Sequence, residues 1–264
     1  MPKHSQVFLN NEHTALSIAE SISNFDCDLI VEIGPGKGVL TKYLIKAYPK
    51  KLLLIEIDGR MVDFLKTKFK DNTPPIINSD FMQVNLPEVF LKNRKIVFIG
   101  NLPYYCATAI LEKALLFDKF GGASFMFQKE MGERITAQVN DKKYAYFSIF
   151  SQILSEAFLL MDVPKEYFSP IPKVDSRVIV FNKKDDSFIK RGRPLKKFLS
   201  LIKSSFSYRR KTILNSLSIA MSLDKEQLLK KFEKTQISPN IRPQNLSLED
   251  FKRLYEEFKD EQAI

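Results

Sequence analysis

The chain has 264 residues, 44% of them hydrophobic, and a formal net charge of +10. That is enough length and apolar content for one large domain, or a large and a small one, and too much for wholesale disorder. No apolar run reaches bilayer length and no basic-then-apolar leader opens the sequence, so the expected location is the cytoplasm. With two cysteines (Cys27, Cys106), two histidines (His4, His13) and no CxxC spacing, no metal site is expected and the cysteines read as reduced thiols.

In chain order, LIVEIG (29–34) reads as a strand entering a glycine-rich turn, and GVLTKYLIKAY (38–48) follows with apolar residues at helical spacing. KLLLIEID (51–58) is a second strand, MVDFLKTKF (61–69) a second helix and PIINSDF (75–81) a third strand. KIVFIGNLPYY (95–105) is a fourth strand and ASFMFQKEM (123–131) begins as a fifth. SRVIVFN (176–182), after the Pro-rich loop SPIPK (169–173), is a late strand that can close the sheet antiparallel. Strands alternating with helices predict an α/β architecture with a mostly parallel sheet. Beyond residue 183, KKDDSFIKRGRP has the look of a polar linker, and FLSLIKSSF, LLKKFEK and LSLEDFKRLYEEF are helical. Ser247, followed by Glu249 and Asp250, suits a helix N-terminus. The expected division is an α/β domain over residues 1–185 and a small helical domain over 186–264.

The charge is uneven. Residues 1–182 carry 22 Lys+Arg against 20 Asp+Glu, while residues 183–264 carry 19 against 11. Residues 190–211 hold nine cations and no acid, with Phe198, Phe206 and Tyr208 interleaved. A solvated face is the common meaning of a charge run, but a sustained asymmetry with aromatics favours a polyanion, most simply nucleic acid.

Four strand ends carry chemistry. Gly34, Gly36 and Gly38 form G-x-G-x-G between a strand and a helix, where glycine lets the backbone approach a ligand; a plain tight turn uses the same residues. Val39 stands where a dinucleotide fingerprint needs Gly or Ala, which counts against a nicotinamide cofactor. Glu56, at the end of the second strand, can accept from both hydroxyls of a ribose. Asp80 can accept from an adenine amino group while the backbone N–H of Phe81 meets the ring; an Asp that merely starts a turn is the bland alternative. At the fourth end, the Asn101 side-chain carbonyl and the Leu102 backbone carbonyl can bind the hydrogens of an exocyclic amine. Pro103 stiffens the turn and Tyr104 offers a face for a base. Such an amine is a weak nucleophile, and positioning its lone pair needs no strong base.

VEIGPGKGVLT, IEID, NSDF and GNLPYY, in that order, resemble a Rossmann-like class I S-adenosylmethionine-dependent methyltransferase, and most closely the ribosomal RNA adenine N6,N6-dimethyltransferases. SQVFLNN (5–11), FMFQKEM (125–131), FSPIPKVDSRVIVF (168–181) and FSYRRKTILNSL (206–217) extend the resemblance over most of the chain. It implies that Gly34 and Gly36 hold the methionine part of S-adenosylmethionine, Glu56 the ribose, and Asp80 with Phe81 the adenine, with Ile57 also against the cofactor. Leu9, and Val7 through its backbone, would cover the cofactor, with Asn101 beside it. Asn101, Leu102, Pro103 and Tyr104 would bind the target adenine, and Phe168 would stack on its other face. Arg209, Arg210 and Lys211, in the family's RRK helix, would meet RNA phosphates. Val7, Tyr105 and Ala107 stand where the family usually has Asn, Asn and Ser, and Ser5 where it has Gly.

The expected activity is dimethylation of two adjacent adenosines in the 3′-terminal hairpin of small-subunit rRNA, by a monomer during subunit maturation. A macrolide-resistance methyltransferase acting on large-subunit rRNA, and an RNA-binding assembly factor without catalysis, remain alternatives.

Overall fold

The computed structural model describes residues 7–93, 95–184 and 188–260. The chain forms two compact units, one of Met1–Gly132 with Ser155–Lys183, the other of Glu133–Leu154 with Lys184–Ile264. The expected boundary at 185/186 falls outside the described residues. Residues 133–154 group with the helical unit, where a contiguous division would have placed them in the sheet unit. Packing accounts for this. The Tyr144 ring meets Phe206 edge-on at 6.1 Å, and the Asn140 N–H donates to the Gln244 carbonyl.

In the first unit the elements run β1 (Phe8–Leu9), α1 (Glu12–Glu20), β2 (Leu29–Ile33), α2 (Thr41–Ala47), β3 (Leu52–Glu56), α3 (Gly59–Phe69), β4 (Ile76–Asn78) and α4 (Leu86–Val89). They continue with β5 (Ile96–Asn101), α5 (Ala107–Leu116), β6 (Phe120–Gln128), α6 (Lys129–Thr136), which carries the chain to the unit boundary, and then β7 (Ser155–Val163), β8 (Phe168–Ser169) and β9 (Ser176–Lys183). The central strands are near-continuous apolar runs because both faces of a parallel sheet are covered. Every residue of β5 from Ile96 to Gly100 is buried.

The large sheet has the order β4-β3-β2-β5-β6-β9-β7. The pairs β4·β3, β3·β2, β2·β5 and β5·β6 are parallel. The late strand β9 runs antiparallel as expected, but it lies between β6 and β7 and does not form the edge. The edge strand β7 escapes the sequence reading because SEAFLLMDV shows no clean alternation. Its register shifts between Leu159 and Met161, and Phe158 and Leu159 are exposed. Strand order reverses at β2, with β3 on one side and β5 on the other, and the crevice at such a switch is where an open α/β sheet takes a ligand. The ends of β2, β3, β4 and β5 align there: Ile33 pairs Ile55, Glu56 pairs Asn78, and Glu32 pairs Ile99, two residues before Asn101.

The second unit holds α7 (Tyr146–Leu154), α8 (Arg193–Phe206), α9 (Ile213–Met221), α10 (Lys225–Thr235) and α11 (Leu248–Phe258). Ser247 caps α11 in a reciprocal box with Asp250, as its position in the sequence suggests. Among the described residues no helix is long and apolar enough to cross a membrane. Cys27 and Cys106 are free thiols.

Gly100 lets β5 approach β2 closely, since a Cβ there would lie 2.5 Å from the Ile33 carbonyl oxygen. Gly100→Ala is therefore expected to cost about 1–3 kcal/mol and to lower the thermal midpoint. A melt superposable on that of the parent protein would contradict the close approach.

Candidate active site

The turn after β2 is built from left-handed backbone. Gly34, Gly36 and Gly38 have φ of +66°, +53° and +71°, a region that side chains disfavour. A Cβ at Gly34 would meet nothing within 4 Å, so the backbone here faces open space that a ligand could enter. A Cβ at Gly36 would lie 3.0 Å from the Phe8 ring, which also carries Lys37 Nζ at 4.7 Å from its centroid. Phe8, which the sequence reading passed over, thus reaches the glycine turn. Leu9, expected over the cofactor, instead belongs to the buried core with Val163 and Val178, because side chains alternate along the short strand β1. Val7 contributes its carbonyl, which accepts from Asn101 Nδ2 at 3.4 Å.

Glu56 closes β3 and is only 3% exposed. Its Oε2 accepts from the Gly36 N–H at 3.0 Å and its Oε1 from the Asp58 N–H at 2.9 Å. Each oxygen keeps a lone pair, which suits two ribose hydroxyls. The Ile57 side chain is exposed beside it. Asn78 Nδ2 donates to the Glu56 carbonyl at 2.8 Å and ties β4 to this end. Asp80 starts the next turn, its Oδ1 accepting from the Met82 N–H at 2.8 Å and its Oδ2 remaining for a ligand. The Phe81 ring is buried edge-on to Phe98 at 5.9 Å.

Beneath the glycine turn lies a second acid that the sequence reading did not single out. Glu32 is 1% exposed and accepts from Thr41 Oγ1 at 2.7 Å. Burial pushes its carboxyl up to about 8, the Thr41 hydrogen bond opposes the shift and the charge of Glu56 adds to it. The signal was legible, since an acid inside the apolar run LIVEIG has no water to face.

At the end of β5, Asn101 is half-buried and Leu102 buried. The Leu102 N–H reaches the Met126 carbonyl at 3.4 Å, and the Pro103 carbonyl accepts from the Cys106 N–H at 3.1 Å, so the turn is held from both sides. The Tyr104 hydroxyl pairs with Ser176 Oγ at 2.9 Å, which fixes the ring; burial raises its phenol. Tyr105 is 71% exposed. Phe168 corrects an expectation. It pairs with Leu9 across β1·β8 and is only 2% exposed, so its ring is enclosed by the core and offers a base no open face.

In the helical unit, the segment that carries Arg209, Arg210 and Lys211 is the turn between α8 and α9, where a helix was expected. Arg209 donates through one guanidinium nitrogen to the carbonyls of Lys142 at 2.7 Å and Tyr144 at 3.1 Å, so it clamps a neighbouring turn. Arg210 and Lys211 are exposed, and Arg193, Lys196 and Lys203 are exposed along α8.

The sequence profile of the ribosomal RNA adenine dimethylase family matches residues 2–260. Ribosomal RNA small subunit methyltransferase A of Malacoplasma penetrans is 38% identical over 258 residues, covering 98% of this chain and 92% of the relative. Its namesake in Mycoplasma capricolum is 36% identical over 257 residues, covering 96% and 95%. Among solved structures, a dimethyladenosine transferase from Plasmodium falciparum superposes with a TM-score of 0.78 at 27% identity, covering 96% of this chain and 97% of that one. The 23S rRNA methyltransferase ErmE does so with a TM-score of 0.70 at 22% identity, over 96% and 100%, a likeness of fold.

The raised carboxyl of Glu32 has a stability consequence. Its folded value, about 8, exceeds the ordinary 4.5, so between these values the folded state holds a proton that the unfolded state has lost. Stability should therefore fall as pH rises through that window, and Glu32→Gln should be free of this fall. Denaturation midpoints at several pH values check it; parallel profiles for the two proteins would show that Glu32 is ionised in the fold.

Proposed function

The chain belongs to the ribosomal RNA adenine dimethylase family and is an S-adenosylmethionine-dependent rRNA adenine dimethyltransferase, and from that premise we propose which residues carry the reaction and which RNA receives the methyl groups. The substrate we propose is a pair of adjacent adenosines in the 3′-terminal hairpin of small-subunit rRNA, each dimethylated at N6 during subunit maturation. The names of the two small-subunit relatives support that choice. The work would be done where ribosomes are assembled, in the cytoplasm. We further propose that the protein acts as a monomer.

The observation that carries the reading is the alignment of four strand ends, each with a polar group suited to one part of a nucleoside cofactor or its target. The open backbone at Gly34 and the carboxylate of Glu56, with oriented lone pairs to spare, fit S-adenosylmethionine. Gly34 and Gly36 would receive its methionine portion, Glu56 and Ile57 its ribose, Asp80 and Phe81 its adenine. When bound, the cofactor supplies an electrophilic methyl group. Asn101 has its Nδ2 engaged by Val7, which leaves Oδ1 to accept from the target amine, and the Leu102 carbonyl accepts the second hydrogen. These two bonds draw the N–H groups aside and direct the nitrogen lone pair. Tyr104, anchored through Ser176, offers its ring to the base. A monomethylated amine still has one hydrogen for Asn101 or Leu102, so the same pocket serves a second round. We assign RNA phosphate contacts to Arg210 and Lys211, with Arg193, Lys196 and Lys203 extending the basic face, and a structural role to Arg209.

The test is methylation of unmodified small subunits and, in parallel, of large-subunit rRNA, read by nucleoside mass spectrometry. Dimethyladenosine in the small-subunit sample alone is expected. Product only from large-subunit rRNA would transfer the chain to the resistance branch, and no product in either would favour an assembly factor. Asn101→Ala should lower kcat by about a hundredfold or more, the scale of one preorganised polar contact. Comparable turnover in that variant would show the amine site is misassigned. Replacing Arg210 and Lys211 with Ala should reduce the slope of log affinity against log salt by about 1–2. Arg209→Ala should instead lower the melting temperature; the reverse pattern would exchange the two roles.

A further inference from the structure

The turn that bears Asp80 and Phe81 has an unusual support. Lys113, on α5, donates from Nζ to three backbone carbonyls, those of Phe81 at 2.7 Å, Met82 at 2.9 Å and Val84 at 2.7 Å. An ammonium has three hydrogens, so all are committed to one turn. The Nζ also lies 5.2 Å from the centroid of the Phe81 ring. Within the turn the Met82 N–H goes to Asp80 Oδ1, the Gln83 N–H to the Asp80 carbonyl and the Val84 N–H, at 3.3 Å, to the Phe81 carbonyl, so the Met82 and Val84 carbonyls depend on Lys113 most. Three carbonyls converging on one point repel each other, and without a cation there the peptide planes would turn. Burial pushes the Lys113 ammonium down, while the nearby Asp80 carboxylate works to keep it charged.

We propose that Lys113 is the positioning residue of the adenine subsite, holding the 81–84 turn so that the Asp80 carboxylate and the Phe81 N–H face the cofactor base. The proposal rests on the assignment of Asp80 and Phe81 to adenine. It also explains how the two halves of the site keep their spacing. Helix α5 starts at Ala107, three positions after the last amine-binding residue, Tyr104, and Lys113 lies on the same helix. One element therefore sets the target pocket at its start and the adenine turn less than two turns further on.

Lys119 provides an internal control. Its Nζ donates to the carbonyls of Phe90 at 2.6 Å and Leu91 at 2.9 Å, the same device on a turn that carries no proposed site residue. The experiment is calorimetric titration of the intact protein with S-adenosylhomocysteine and with S-inosylhomocysteine, which lacks the amino group that Asp80 would bind. Asp80→Ala should weaken S-adenosylhomocysteine by about tenfold, as for one lost hydrogen bond, and scarcely touch the inosine ligand. Lys113→Met should reproduce that selective loss, and the double variant should bind no more weakly than Lys113→Met alone. Lys119→Met should lower the melting temperature and leave both affinities alone. If Asp80→Ala is selective and Lys113→Met weakens both ligands equally, or neither, the proposal is overturned. If Asp80→Ala itself shows no selectivity, the adenine assignment fails instead. Should Lys113→Met not fold, Lys113→Gln, which keeps a shorter donor, is expected to show a smaller loss of the same selectivity; unaltered binding in that variant would equally overturn the role.

Discussion

The carboxylate of Glu56 is the interaction on which the site depends. It lies at the end of β3 and takes one N–H from the glycine turn after β2 and another from the turn that starts α3. A buried carboxylate is costly unless it is hydrogen-bonded, and here two backbone donors meet that need. The same two bonds fix the carboxylate plane and tie the ends of neighbouring strands together. Removing it would leave Gly36 N–H and Asp58 N–H without these acceptors as well as removing the proposed ribose ligand.

Around that carboxylate the polar groups are arranged for orientation. Glu32, two residues before the first glycine of the turn, has its carboxyl pushed up by burial and by the charge of Glu56, which disfavours a second negative charge beside Glu56. The groups at the β5 end are neutral acceptors: an amide and a backbone carbonyl. Neither can remove a proton from an amine, and none needs to, because a methylated amine loses its proton readily to water. Catalysis of this kind is a matter of where hydrogen bonds point before the reaction starts. The turn glycines, the Tyr104–Ser176 contact and the Asn101–Val7 contact all restrict that direction.

Most of the sheet was readable because its central strands are unbroken apolar runs ended by turn residues, and the order of the motifs carried the family. What was not readable depended on distant contacts. Strand β7 lacks alternation because it is an edge with exposed Phe158 and Leu159. Residues 133–154 precede three strands of the sheet unit, so only packing by Tyr144 and the clamp from Arg209 reveals where they belong. Arg209 and Arg210 are adjacent cations in the sequence, and nothing local separates a clamp from a free charge. Leu9 and Phe8 differ by one position on a two-residue strand, which was enough to exchange core and site. Nothing in the sequence singles out Lys113, and the role proposed for it shows only when three carbonyls from another turn are seen to meet it.

The central claim is that the ends of β2, β3, β4 and β5 form one nucleoside site. A crystal structure of the protein with S-adenosylhomocysteine tests it most directly. The account predicts Glu56 on both ribose hydroxyls, Asp80 Oδ2 on the adenine amino group, and Asn101 Oδ1 facing the sulfur side of the ligand. A ribose held away from Glu56, or an adenine outside the Asp80–Phe81 turn, would contradict it.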